Sequence, residues 1–134
     1  MIRRFLIAGT AALALSACQL HNIDEALLNS SDISLTVKGK AQIVFNEDTY
    51  QLGCNTARNE FRVYDETLNN WFTIRCSAMP TSEGQTVTAD LEYTVDSKSK
   101  TLNGLEFTVE KTSPEGLLWL WNKDKQICIV IKNL

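Results

Sequence analysis

The chain has 134 residues, a net charge of −3 at pH 7 and 44% hydrophobic residues. This length and hydrophobic content are sufficient for one domain with a core of its own. The acidic balance argues against nucleic acid and against an anionic membrane surface as the main partner, whereas it is compatible with a cationic protein partner.

The first 17 residues predict a cleaved secretory leader. Arg3 and Arg4 precede an apolar run over residues 5–15. A basic start, an apolar run of about eleven residues and small residues before the cleavage point are typical of such leaders. The run is too short to span a bilayer, which requires about 20 residues. Removing residues 1–17 takes away these two arginines and no acid, so the net charge of −3 becomes −5 in the processed chain.

The leader ends in Leu15-Ser16-Ala17-Cys18, which resembles the processing site of bacterial lipoproteins. The resemblance implies that the Cys18 thiol receives a diacylglyceryl group and that the freed amine receives a third acyl chain. Each buried methylene contributes about 0.8 kcal/mol to membrane binding, so such an anchor does not release. Gln19 rather than an aspartate follows the cysteine. By analogy with enterobacterial sorting this indicates the outer membrane, on either its periplasmic or its exterior face. The alternative is an ordinary secretory leader with Cys18 as a chance thiol.

Residues 18–32 predict a lipidated N-terminus and tether. The segment 22–25 has the spacing of a helix capping box, but one or two helical turns are marginal without packing partners. We therefore expect a flexible spacer, followed by one β-rich globular domain over residues 33–134.

After the tether, short runs alternate apolar and polar residues or are rich in β-branched and aromatic residues, which is typical of strands. Clear examples are Ile33–Val37, the segment 71–76 and the segment 105–109. Clusters of Gly, Pro, Asn and Asp separate these runs and predict turns. About eight short strands at this spacing fit a compact barrel or sandwich.

Two later segments refine this fold. The segment 87–95 alternates and predicts a strand, but Val87 and Leu91 would also share one face of a helix. The runs 117–121 and Ile127–Ile131 are apolar on both faces, so we expect a hairpin in the middle of the sheet, covered on both sides. The expected class is mainly β, a small single-domain antiparallel barrel or sandwich, with one short helix as the α+β alternative.

With Cys18 acylated, three cysteines remain, and the cell envelope is an oxidising compartment. Cys54 and Cys76 lie at the ends of strand-like runs that enclose a polar loop and hairpin, so we predict a disulfide between them. Closing such a loop contributes about 3 kcal/mol in the chain-entropy model. Cys128 lies within an apolar strand, where a thiol acts as a small core residue. A metal site is not expected, because the chain lacks a Cys-x-x-Cys pair and its single histidine, His21, is on the tether.

The sequence carries no nucleophile elbow, zinc-protease motif or phosphate loop. His21 lies outside any predicted cleft, which argues against histidine-based acid–base catalysis. The carboxylate pairs Glu47-Asp48 and Asp65-Glu66 are in predicted turns, where acids are ordinary surface residues. We therefore expect no catalytic residues, no enzyme activity and no cofactor beyond the covalent lipid.

Three tryptophans are candidate binding residues. Trp119 and Trp121 share one face of a predicted strand, and Trp71 opens another. Paired tryptophans can form a platform for a carbohydrate or a peptide. Aromatic residues on an apolar strand are more often part of the core, and we interpret these residues as core first. The polar segment 97–100 predicts a solvated turn rather than a basic binding patch.

Three short motifs follow one another in the central third of the chain. They are Ile43-Val44-Phe45 at the end of a strand, Gly53-Cys54-Asn55 in a turn, and Thr73-Ile74-Arg75-Cys76 in a strand that ends in cysteine. This series resembles the META domain of HslJ-like envelope lipoproteins. The helix that the family carries after the second cysteine is replaced here by the alternating segment 87–95.

The META resemblance implies a lipid-anchored envelope protein with a role in envelope maintenance or stress resistance and no known cofactor. Two other hypotheses stay open. One is a binding or inhibitory module such as a periplasmic lysozyme inhibitor, and the other is an accessory lipoprotein of a secretion or surface-assembly system. The expected partners are the membrane, through the lipid anchor, and a protein, with no nucleic acid. The sequence leaves the oligomeric state open.

Overall fold

The computed structural model describes residues 31–45, 50–65, 70–132 and 134, in which the chain forms nine β-strands. They are β1 (Ile33–Val37), β2 (Lys40–Phe45), β3 (Gln51–Asn55), β4 (Glu60–Asp65), β5 (Asn70–Cys76), β6 (Thr86–Val95), β7 (Lys98–Thr112), β8 (Leu118–Asn122) and β9 (Ile127–Ile131). The described ranges contain no helix, so none of them supplies a helix that could cross a membrane. The prediction of a mainly β domain is confirmed.

The segment 87–95 is a strand, and the helical alternative for it is wrong. Val87, Ala89, Leu91 and Tyr93 are buried, whereas the residues between them are exposed. This period of two is the period of a strand with one face on a core. The Thr, Val and Tyr content of the segment favours the same conformation.

All nine strands belong to one sheet, in the order β2-β1-β9-β8-β7-β6-β5-β4-β3. Every pair of neighbours is antiparallel. The architecture is therefore a single curled sheet that forms a half-barrel, rather than two sheets stacked as a sandwich. Strands β2 and β3 form its two edges although they follow each other along the chain.

The short connection between these two edge strands requires the sheet to curl. The six Cα-to-Cα steps from Phe45 to Gln51 span at most about 22 Å. Nine strands laid flat would place their edges about 38 Å apart, because neighbouring strands are about 4.8 Å apart. The corner where the edges meet is visible in the stacked rings of Phe45 and Tyr50, whose centroids are 5.9 Å apart.

The inner face of the curled sheet carries the core, to which every strand except the edge strand β3 contributes fully buried or nearly buried side chains. Leu52 of β3 is partly buried and packs against this core. The β8–β9 hairpin lies inside the sheet order, and all five residues of β9 are buried. On the outer face of this hairpin Trp119, Cys128 and Val130 form a second buried cluster. The prediction of a hairpin in the middle of the sheet, buried on both faces, is confirmed.

Three hairpin turns lie at the ends of β1, β6 and β8. Lys38 and Gly39 join β1 to β2, and both have positive φ, as a two-residue type I′ turn requires. Asp96 and Ser97 join β6 to β7 in the same manner. The third turn, residues 123–126, joins β8 to β9.

The predicted solvated turn over residues 97–100 is shorter than expected. Strand β7 begins at Lys98 and continues for 15 residues to Thr112. The polar Lys98–Lys100 portion pairs with the end of β6, with Lys98 opposite Val95 and Lys100 opposite Tyr93. A cross-strand hairpin register therefore overrides the turn propensity of a Ser-Lys-Ser-Lys sequence.

The globular domain includes the last two residues assigned to the tether. Ser31 is buried, the Asp32 amide donates to the Phe45 carbonyl over 2.9 Å, and the Lys132 amide donates to the Asp32 carbonyl over 2.7 Å. The rest of the predicted tether and the leader lie outside the described residues.

Truncation of a core side chain should destabilise this sheet strongly. Leu91 is fully buried on β6. We expect Leu91→Ala to lower the free energy of unfolding by about 3 kcal/mol, through lost burial and a residual cavity. Val44→Ala on edge strand β2 is the control, because Val44 is 39% exposed. Urea unfolding measures both, and equal effects of the two substitutions would contradict the assignment of the inner face.

Candidate functional site

The predicted acylation site, Cys18, lies outside the described residues. The structure therefore describes only the domain that Cys18 would anchor. Strand β1 begins at Ile33, and the turn at Lys38 and Gly39 is at its other end. Features at that turn thus lie at the end of β1 opposite the point where the N-terminal segment joins the sheet.

The structure corrects the predicted disulfide between Cys54 and Cys76, since both thiols are free. Cys54 is on β3 opposite Phe61 of β4, and Phe61 is opposite Ile74 of β5. Cys76 thus lies two strands away from Cys54 and two residues further along. This register separates their Cα atoms by about 12 Å in a flat sheet, whereas a disulfide requires less than about 7 Å.

The two thiols also differ in environment. Cys54 is exposed near the end of an edge strand, whereas Cys76 is buried at the inner face. Burial raises the pKa of the Cys76 thiol from 9.0 to about 11. Because the thiolate is the reactive form, the Cys76 thiol is nearly inert at neutral pH.

Native thiol labelling should separate these residues. At pH 7.5 we expect Cys54 to react rapidly with a thiol reagent and Cys76 to react only after unfolding, because Cys76 is buried and protonated below its raised pKa. Cys54→Ser should remove the rapid phase, and the matched Cys76→Ser variant should retain it. A native chain in which Cys54 is unreactive until a reductant is added would contradict the free thiols.

The three candidate tryptophans do not form one platform. Trp119 and Trp121 lie on the outer face of β8, and Trp71 lies on the outer face of β5, with β6 and β7 between them. Trp119 is only 4% exposed and packs with Cys128 and Val130. This residue is structural, as a core interpretation predicts, whereas Trp121 is half-buried at the rim of the same cluster.

Trp71 belongs to a shallow hollow on the outer face. Arg62, Tyr64 and Trp71 line a cavity of about 280 Å³, with Tyr64 directly opposite Trp71 in the β4–β5 register. The Tyr64 hydroxyl donates to Gln51 Oε1 on the edge strand β3, which fixes the aromatic ring. Among the candidate tryptophans, Trp71 is therefore the one placed to contact a ligand or a partner.

Stability measurements should distinguish the two classes of tryptophan. We expect Trp119→Ala to lower the free energy of unfolding by about 3–5 kcal/mol, as for other buried aromatics. Trp71→Ala should lower it by about 1 kcal/mol, since its ring lies in an open hollow. Chemical unfolding followed by circular dichroism measures both, and a larger loss for Trp71→Ala than for Trp119→Ala would overturn this assignment.

A hollow that combines charged and apolar lining lies at the turn end of β1, β6 and β8. We call it the mouth pocket; it has a volume of about 290 Å³. Its charged lining comes from all three hairpin turns and their flanking strand ends: Lys38, Lys100, Asp124 and Lys125. Its remaining lining side chains belong to the inner face of the sheet: Val37, Tyr93, Leu102 and Ile127.

Hydrogen bonds hold two of the three turns at the mouth pocket, the β1–β2 turn and the β8–β9 turn. The Lys38 amide donates to the Gln126 carbonyl over 2.8 Å, which links the β1–β2 turn to the β8–β9 turn. Within the latter turn the Lys125 amide donates to Asn122 Oδ1 over 2.8 Å, and Asn122 Nδ2 donates to the Glu106 carbonyl over 2.9 Å. Lys38 and Lys125 therefore lie on backbone that these hydrogen bonds hold in place.

The mouth pocket is cationic over an apolar floor. It carries three lysines and one aspartate. The Tyr93 hydroxyl is neutral at pH 7, as for any tyrosine, and burial raises its pKa further, so it adds no negative charge. Concave sites lined by one sign of charge concentrate the field and attract the opposite charge. The arrangement can hold an anion, but the pocket has no group placed as a nucleophile or general base.

A second hollow adjoins the mouth pocket on the other side of the β8–β9 turn. Its volume is about 570 Å³. Asp124 and Lys125 line both hollows, and Asn103, Glu106 and Lys123 contribute to the second one. Strand β7 extends beyond the end of β8, and this second hollow lies beside the part of β7 that β8 does not cover.

Sequence reasoning missed the mouth pocket and assigned no basic patch to residues 97–100. The signal was present, because Lys38-Gly39-Lys40, Lys98-Ser99-Lys100 and Lys123-Asp124-Lys125 are three Lys-x-Lys motifs. Each one taken alone is an ordinary solvated turn. Only the strand order shows that all three reach the same end of the sheet.

The part of the chain that the structure describes contains no group of three or more His, Cys, Asp or Glu side chains able to hold a metal ion. No protein-family model, curated protein or solved structure matches this chain. The resemblance to the META domain therefore stays a prediction drawn from three short motifs.

Proposed function

We propose that the chain is a lipid-anchored lipoprotein of the bacterial outer membrane and that its half-barrel is a non-catalytic binding module with a role in envelope maintenance. The anchor is supported by the leader that ends in Leu15-Ser16-Ala17-Cys18. The binding role is carried by one observation, the mouth pocket, in which three turns distant in sequence present charged side chains around an apolar floor.

The length of the N-terminal segment supports a role close to the membrane. Fourteen residues lie between Cys18 and Ile33, which makes fifteen steps along the chain. Such a segment reaches at most about 50 Å when fully extended. The half-barrel therefore works within that distance of the bilayer surface, and the mouth pocket opens at the end of β1 opposite the tether.

The lining of the mouth pocket favours binding over catalysis at that site. The Arg75 guanidinium contacts Glu60 at 2.9 Å in a partly exposed ion pair, and Asp90 Oδ1 accepts from the Gly104 amide over 2.9 Å. These acids have structural partners on the outer face. A glycosidase-type pair would need two carboxyl groups facing one cleft about 5–9.5 Å apart, and the mouth pocket contains a single carboxylate.

Metabolic labelling tests the anchor. In cells grown with radiolabelled palmitate we expect the wild-type chain to incorporate label and to fractionate with the outer membrane. Cys18→Ala should lose both properties, because the acceptor thiol is absent. Cys54→Ala is the matched control and should retain them, since Cys54 is exposed in the folded domain. A wild-type chain that is processed but recovered without fatty acid would refute the anchor.

A further inference from the structure

We propose that the mouth pocket is a binding site for a phosphate group, carried by a small ester or displayed on a surface. This inference rests on the proposed binding role of the half-barrel and names the chemistry of its ligand. The overall acidic composition does not suggest a phosphate site, and the proposal depends on where the sheet places the lysines.

The lysines of this chain are concentrated at one end of the sheet. The three Lys-x-Lys motifs contain six of the eight lysines. Together with Asp96 and Asp124, the acids of the same turns, the six lysines give these turn segments a charge of +4, which the nearby Glu106 reduces to +3, in a chain whose net charge is −3. The protein is thus strongly polarised, and its field directs anions toward the mouth pocket.

The side chains that line the pocket select phosphate over a carboxylate. Lys38, Lys100 and Lys125 belong to three separate elements, the β1–β2 turn, β7 and the β8–β9 turn, and each ammonium presents three rotatable donors. Such a set suits a tetrahedral group with several oxygens, whereas planar carboxylates are best matched by the fork of an arginine. No arginine lines the mouth pocket.

The size and floor of the pocket limit what the phosphate is attached to. At about 290 Å³ the pocket admits one phosphate with a short organic group, and its floor at Val37, Leu102 and Ile127 offers apolar contact to that group. Tyr93 is opposite Lys100 in the β6–β7 register and also lines the pocket, and its protonated hydroxyl can donate to a phosphate oxygen.

Backbone strain is concentrated at the same place. Five non-glycine residues of the described chain have positive φ, and four of them are in the three mouth turns: Lys38, Asp96, Ser97 and Gln126. Left-handed backbone is unfavourable for residues other than Gly, Asn and Asp, and here the tight hairpin turns impose it. A lysine at position 38, with φ of 53°, replaces the residues that a type I′ turn prefers.

The test uses the processed chain from residue 18 with Cys18→Ser, which carries no acyl group of its own. The probes are inorganic phosphate and glycerol 3-phosphate in solution, and vesicles of phosphatidylcholine with or without phosphatidylglycerol. Calorimetry gives the soluble affinities, and co-sedimentation gives the vesicle affinities. Binding of glycerol 3-phosphate identifies a small phosphoester as the source, and binding only to phosphatidylglycerol vesicles identifies a surface-displayed phosphate. Either result supports the proposal.

Substitutions place the binding at the pocket. Each of Lys38→Gln, Lys100→Gln and Lys125→Gln should weaken binding about tenfold, the value of one charged hydrogen bond, and the triple variant should abolish it. The matched control is Arg58→Gln with Arg62→Gln and Lys111→Gln, which makes the same change in net charge away from the mouth pocket and should shift affinity less than about twofold. Asp124→Asn should tighten binding, because it removes the one carboxylate of the lining.

One variant separates lost binding from lost folding. Lys38→Asn replaces a strained residue with one that tolerates positive φ, so it should raise the midpoint of thermal unfolding while weakening phosphate binding about tenfold.

Two results would overturn the inference: binding to none of the probes, or equal weakening by the control triple and the pocket triple. A chain that binds phosphate but is recovered without fatty acid would refute the anchor alone, and an acylated chain that binds no probe would refute this inference alone.

Discussion

The connection between β2 and β3 is the constraint on which the rest of the structure depends. These strands are consecutive in the chain but form opposite edges of a nine-stranded sheet. The six Cα-to-Cα steps from Phe45 to Gln51 can bridge them only if the sheet curls until its edges approach each other. The stacked Phe45 and Tyr50 rings close this corner, and the Tyr50 hydroxyl reaches the Asp32 carboxylate at 3.5 Å.

Curling creates both the core and the mouth pocket. In the register of the sheet, Thr108, Trp121, Cys128 and Thr36 form one row across β7, β8, β9 and β1. Lys100 lies eight residues beyond this row on β7, and Lys38 lies two residues beyond it, directly after β1. In a flat sheet these lysines would therefore be about 25 Å apart, since three strand spacings and an offset of six residues along the strands separate them. In the curled sheet the two lysines line the same pocket. The same curvature turns one face of every strand toward a common apolar interior.

The elements of the fold that depend on local pattern could be predicted from the sequence. Alternation identified most strands, and the two-sided apolar character of the β8–β9 hairpin placed it in the middle of the sheet. The start of β7 could not be identified, because Ser-Lys-Ser-Lys has the composition of a turn and only its pairing with β6 makes it a strand.

Features that depend on strand order could not be predicted. The Cys54–Cys76 bond was inferred from two strand ends close in sequence, but β4 lies between their strands. The mouth pocket shows the reverse relation between sequence and structure. Lys38, Lys100 and Lys125 are distant in sequence, and the strand order brings them to one pocket. The apolar run around Trp119 already indicated a covered position, and the structure places this residue in a buried cluster.

Paramagnetic relaxation tests the curl most directly. A nitroxide would be attached at Lys100→Cys in the processed chain with Cys18→Ser and Cys54→Ser, and amide signals would be recorded by NMR. The curled sheet predicts strong broadening at Lys38 and Gly39 and at residues 123–126, with residues 113–116 at the other end of β7 unaffected. Unbroadened signals from Lys38 and Gly39 would mean that the sheet stays open, and both the common core and the mouth pocket would then be contradicted.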